Sequence, residues 1–206
     1  TMDDALKLVF RNRKPEYGQD YDRGWIGFNH AESNMSAIIA YLEGWERERE
    51  IVISHAFIVS GENECIEAAF PKGVVETSLD EGYFDRDDRY VIFRKPQGLN
   101  DDIAERIVAA ARDEVGADFD HGVLANHAAQ DNFLGWLINS ACDGELKNCV
   151  DQFISADDEW ICSELAAYCL DQQPEYEGRG VLSNSLGALT PQKLFEDEEL
   201  FEPLPT

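Results

Sequence analysis

Hydrophobic positions along this chain follow two different periods. From Ile51 to Arg94 apolar and β-branched residues come in short runs divided by turn residues. Ile51 to Ser60 is the first run, and Gly61-Glu62-Asn63 after it is turn chemistry. Glu64 to Phe70 is the second, followed by Pro71-Lys72-Gly73. Val74 to Leu79 and Tyr90 to Arg94 complete the set. Consecutive strands joined by such short turns predict an antiparallel sheet. Outside this block the period is helical. Met35, Ile38, Ile39, Leu42 and Trp45 form one stripe, with Ser33 or Asn34 as N-cap. Ile103, Ile107, Ala111 and Val115 form another, capped by Asn100 and stopped by Gly116. Phe133, Leu134, Leu137, Ile138 and Ala141 make a third. Cys162, Leu165, Ala166, Cys169 and Leu170 make a fourth. Thr190-Pro191 supplies a cap and an N1 proline for a short acidic helix. Asp3 to Phe10 is a short amphipathic stretch, and Arg11 to Gly27 reads as a polar, Gly-rich loop.

Strands in one block and helices in others predict an α+β fold. No repeat, low-complexity tract or Pro/Gly-rich linker divides the chain, so a single domain over residues 1–206 is expected. Apolar residues make up 44% and aromatics 11%, enough for a full core. No apolar run approaches the roughly 18 residues that span a bilayer, so no transmembrane segment is expected. The chain is charged from its third residue and opens without an apolar signal-like region. The expectation is a cytoplasmic protein as synthesised, or one secreted by a signal-peptide-independent route.

Charge narrows the partners. With 42 acidic and 17 basic residues the net charge is −25, which repels nucleic-acid phosphate and anionic headgroups. Solubility accounts for such a surface, and attraction of a basic partner is the sharper alternative. The five cysteines, Cys65, Cys142, Cys149, Cys162 and Cys169, are odd in number and show no C-x-x-C spacing. They read as reduced thiols rather than a zinc site; a Cys142–Cys149 bridge is the alternative outside the cell.

Nucleophilic chemistry needs a thiolate, and helix starts, nearby imidazoles and a group that orients the imidazole supply one. Cys162 opens a helix in Trp160-Ile161-Cys162-Ser163-Glu164-Leu165, where free backbone N–H groups favour negative charge and can donate to an oxyanion. Asp157, Asp158 and Glu159 precede the same start, so Cys162 depends on a cationic partner. His55 lies in the strand-like run Ile53-Ser54-His55-Ala56-Phe57. If Gly61-Glu62-Asn63 is the turn, Ser60 pairs with Glu64, Phe57 with Glu67 and His55 with Ala69. His55 and Glu67 are then diagonal neighbours on one face, about 7–8 Å apart along the backbone. A one-residue slip would separate them.

These residues, in this order, resemble the circularly permuted NlpC-type papain-like cysteine hydrolases. The segments that carry the resemblance are Ile53-Ser54-His55-Ala56-Phe57-Ile58-Val59, Cys65-Ile66-Glu67-Ala68, Gly73-Val74 and the late Cys162-Ser163-Glu164-Leu165. It covers roughly Ile51 to Leu194. Ordinary papain-like enzymes place Cys before His; here His comes first, as in the permuted group. Such proteins often carry Gly-Asp before their first strand, where this chain has Arg23-Gly24-Trp25-Ile26-Gly27. The resemblance implies an antiparallel sheet packed against helices, with the nucleophile Cys162 at a helix N-terminus, His55 as base and Glu67 as orienting acid. It implies an acyl-enzyme route without cofactor or metal, on cell-wall peptides, other amides or lipid acyl groups.

Trp160, two residues before the thiol, is the expected cleft wall, and with Ser163 the expected substrate contact. His121 and His127, near Asp118, Asp120 and Asp131, read as a polar loop rather than a metal site, and His30 as a solvated loop residue. Cys169 reads as core. Glu196-Asp197-Glu198-Glu199 reads as a solvated acidic face. The functional expectation is a cysteine amidase or peptidase, either a housekeeping enzyme or an antibacterial effector with an immunity or secretion partner. Lipid acyltransferase or thioesterase activity, or an inactive papain-like interaction domain, are the alternatives.

Overall fold

A computed structural model describes residues 14–31, 53, 55–69, 72–86, 89–119, 159–160, 162–183 and 189–204. The expected helices at Met35–Trp45 and Phe133–Ala141, and the stretch Asp3 to Phe10, lie outside them. So do Ser33, Asn34, Asp157, Asp158, His121, His127, Cys142 and Cys149.

Five strands form one antiparallel sheet: β1 (Ile26–Ala31), β2 (His55–Gly61), β3 (Glu64–Ala69), β4 (Gly73–Ser78) and β5 (Arg89–Arg94), in the order β4-β3-β2-β1-β5. The sheet is covered on both sides. Ile26, Phe28, Ala56, Ile58, Ile66, Ala68, Val74 and Ile92 bury on one face against α1 (Asp101–Asp113) and α2 (Cys162–Asp171). Phe57, Val59, Cys65, Val91 and Phe93 bury on the other with Tyr21, Leu79 and Tyr83. The split follows the period-2 alternation of side chains along each strand. The molecule is therefore of α+β class with an antiparallel sheet, as the hydrophobic pattern implies.

One strand departs from expectation. Arg11 to Gly27 was expected as a loop and His30 as a loop residue, yet β1 starts at Ile26, lies between β2 and β5, and pairs His30 with Tyr90. Gly27, Asn29 and His30 carry little strand propensity, but Gly27 serves packing: a Cβ there would lie 2.2 Å from the Phe57 ring. The glycine that reads as a loop signal is the space in which Phe57 sits.

The β2–β3 hairpin corrects a second detail. Glu62-Asn63 forms the turn, and Gly61 rather than Ser60 faces Glu64. The extra residue is taken up by a bulge between Val59 and Gly61, beyond which Val59 pairs with Cys65 and Ile58 with Ile66. That offset is the one expected for Phe57 and Glu67. The bulge thus restores the anticipated alignment where the candidate chemistry lies.

The helix α1 starts as expected, with the Asn100 side chain accepting from the Ile103 N–H at 3.0 Å. It ends at Asp113, a turn before Gly116, so Val115 falls past the buried stripe and is exposed. Two short parallel strands, β6 (Asp118–Phe119) and β7 (Glu159–Trp160), lead the chain toward α2. The last helix, α3 (Pro191–Phe195), carries the anticipated Thr190 cap, whose Oγ1 accepts from the Lys193 N–H. No helix among the described residues is long and apolar enough to cross a membrane.

The acidic run after α3 was expected to be solvated; Asp197 instead is buried. Its carboxylate accepts from the backbone N–H groups of Val181, Glu199 and Leu200 at 2.7, 2.8 and 2.9 Å. Four clustered acids read as a surface, but three convergent donors satisfy the buried one. Beyond it, Arg94 donates to the carbonyls of Phe195 and Glu202 and lies over the Phe195 and Phe201 rings, tying the last residues to β5.

Candidate active site

Each expected reactive side chain sits at the end or middle of a regular element. His55 is the first residue of β2, Glu67 the fourth of β3, and Cys162 the first of α2, which packs on both strands. The Glu67 Oε2 lies 2.6 Å from His55 Nε2. The Cys162 thiol is within hydrogen-bonding reach of the same ring. With Nε2 given to the carboxylate, Nδ1 is the nitrogen left for the thiol. The three residues expected to act together are thus brought together.

Their environment biases the charges. Burial disfavours a charged imidazole, but interaction with Cys162 and with the Glu67 carboxylate outweighs it and raises His55 from its ordinary 6.5 to about 10. Burial pushes the Glu67 carboxyl up. Hydrogen bonding to His55 and the charge of that ring, with hydrogen bonds from Thr77 and Tyr83, reverse this and hold it at about 2. Cys162, on the margin of burial at 9% exposure, differs from Cys65 and Cys169, which are sealed in the core. Burial pushes both of those thiols well up, helped by Glu67 at Cys65 and Glu114 at Cys169. A thiol at a helix start can pass its proton to such a ring, whose charge the carboxylate then compensates. The first-turn N–H groups of α2 have no partner earlier in the helix and are disposed to bind negative charge.

The two expected substrate contacts fare differently. The backbone of Trp160 lies in β7, two residues before Cys162; its side chain is outside the described residues. Ser163 is fully buried, and its hydroxyl donates to the Leu189 carbonyl at 2.6 Å. Its side chain therefore pins the segment before α3 to α2 rather than facing a substrate. Among the described residues no three His, Cys, Asp or Glu side chains gather as a metal site would need.

Four residues at the site carried no signal that sequence reasoning used. Asn29 is buried and pairs with His55 across β1 and β2. Thr77 and Tyr83 donate to Glu67, the tyrosine hydroxyl at 2.5 Å to Oε2. Gln192, on α3, accepts from the Ile53 N–H at 2.7 Å and so anchors the chain just ahead of His55. Only Thr77 was accessible in principle: in a third strand antiparallel to the second it falls diagonal to Glu67, with Glu67 facing Val75 and Cys65 facing Thr77.

No protein-family model matches this chain, and no curated protein matches it.

Proposed function

We propose that this protein is a cysteine hydrolase of papain-like, permuted NlpC-type architecture, cleaving amide bonds through an acyl-enzyme. The observation that carries the reading is the Glu67–His55 hydrogen bond with Cys162, the first residue of α2, interacting with the same imidazole. Cys162 Sγ gives its proton to His55 and attacks the substrate carbonyl carbon. The developing oxyanion is met by first-turn N–H groups of α2. His55 returns the proton to the leaving amine as the C–N bond breaks. Water, deprotonated by His55, then attacks the thioester and releases the acid and the free thiol. Glu67 holds the ring tautomer and balances the imidazolium, as the acid of a triad does. Cell-wall peptides are the substrate class to which the sequence resemblance points, with delivery as an antibacterial effector as the biological setting.

The pH dependence of Cys162 alkylation by iodoacetamide, mapped by peptide mass spectrometry, tests the pair. Thiolate reactivity should persist well below the ordinary thiol value of about 8.5 and disappear in His55→Ala. Reactivity matching that of Cys65, and indifferent to His55, would overturn the reading. Peptidoglycan fragments, amides and acyl esters then identify the substrate. Release of fatty acid instead of amine would reassign the same triad to lipid acyl chemistry.

A further inference from the structure

Tyr83 takes no part in the reaction just written, yet it shares an atom with it. Its hydroxyl donates to Glu67 Oε2, the oxygen that also meets His55 Nε2. Its ring lies nearly parallel to the imidazole, at 17° and 6.4 Å between centroids. The residue is carried by a single π-helical turn, Asp80–Phe84, between β4 and β5, a wide-turn geometry found often beside functional sites. Packing holds the ring there. The Phe57 ring is 4.5 Å away, and the Arg89 guanidinium stands 5.3 Å from the ring centroid. The preceding Gly82 leaves room where a Cβ would come within 2.9 Å of Thr77. Phenylalanine would fill the same buried space. What the hydroxyl adds is a second donor on one carboxylate oxygen, so that the carboxylate cannot turn without giving up both bonds.

We propose that Tyr83 is a positioning residue, which locks the Glu67 carboxylate and through it sets the His55 ring against Cys162. The proposal rests on the hydrolase reading for its consequence, but its geometry stands apart from any reaction. The titratable and charged groups facing Glu67 and Tyr83 are His55 from β2, Cys65 from β3 itself, Arg89 from β5 and, through the ring, Cys162 from α2.

The experiment is a double-mutant cycle on the full chain, reading the rate of Cys162 alkylation at pH 6 in wild type, Tyr83→Phe, Glu67→Gln and the double variant. Loss of a hydrogen bond to a charged group predicts that Tyr83→Phe is about tenfold slower than wild type. It also predicts that the double variant is no slower than Glu67→Gln. A wild-type rate in Tyr83→Phe overturns the proposal. So does a double variant slowed by the full product of the two effects, because Tyr83 would then act through packing. Imidazole nitrogen NMR on the Cys162→Ala protein reads the same coupling without the thiol. There Tyr83→Phe should change the His55 tautomer signals, and an unchanged spectrum overturns the proposal. An inert Cys162 in wild type would sink the hydrolase reading while this spectrum still decides the role of Tyr83.

Discussion

Glu67 and His55 tie the stability of the fold to pH in opposite senses. The Glu67 carboxyl is lowered from 4.5 to about 2, so its contribution is complete above about 4.5 and drains away as pH falls toward 2. The His55 ring is raised from 6.5 to about 10, so its contribution is complete below about 6.5 and is lost as pH rises through 10. Denaturant midpoints measured against pH should therefore peak between about 4.5 and 6.5, and Glu67→Gln should flatten the acid side. An acid limb as steep in Glu67→Gln as in wild type would separate this pair from stability. At this scale the chain is readable where chemistry is uncommon. A histidine in a strand, an acid on the next strand and a cysteine at a helix start stand out by type. Tyr83 and Gly27 do not, because what they do is defined by a neighbour from elsewhere in the chain: Glu67 for the hydroxyl, the Phe57 ring for the missing Cβ.

Among the elements, the hairpin that joins His55 to Glu67 is the informative one. Its bulge places one residue, Ser60, outside the regular ladder, and that buried hydroxyl has no hydrogen-bond partner among the described residues. Deleting Ser60 converts the bulged ladder into a regular one and leaves the His55–Glu67 offset unchanged. The deletion should keep the low-pH reactivity proposed for Cys162, whereas deleting Cys65 from the facing strand shifts the offset and should abolish it. Alkylation of the two purified variants at pH 6 is the check. Strands β2 to β5, the caps of α1 and α3, and α2 were legible because apolar period and capping residues agree there. Strand β1 was not, because Gly27, Asn29 and His30 oppose its propensity, and only packing from β2 and β5 overrides it. Helix α1 stops short of Val115 for a comparable reason: an apolar residue in phase with a stripe does not prolong a helix whose last turn has already closed at Glu114.

Across the molecule, α3 and the residues after it fasten the site from behind. Gln192 holds Ile53, just ahead of His55, Asp197 gathers three backbone N–H groups, and Arg94 grips the segment that follows. Asp197→Ala would strand those donors in a buried setting and should cost about 1–3 kcal/mol in urea unfolding. An unchanged midpoint would show that water replaces the carboxylate without loss. This clasp was invisible in the sequence, where four consecutive acids look alike; which one is buried depends on a turn at Gly180–Ser183 that no local pattern announces. The order in which the site is strung along the chain has a consequence in time. His55 and Glu67 meet within one hairpin, while Cys162 follows about 100 residues later. At synthesis rates of about 5–20 residues per second, the imidazole and its carboxylate leave the ribosome roughly five to twenty seconds ahead of the thiol. A chain arrested anywhere in that interval carries the proposed base and its carboxylate without the proposed nucleophile, so the thiol arrives only after its partners have been synthesised.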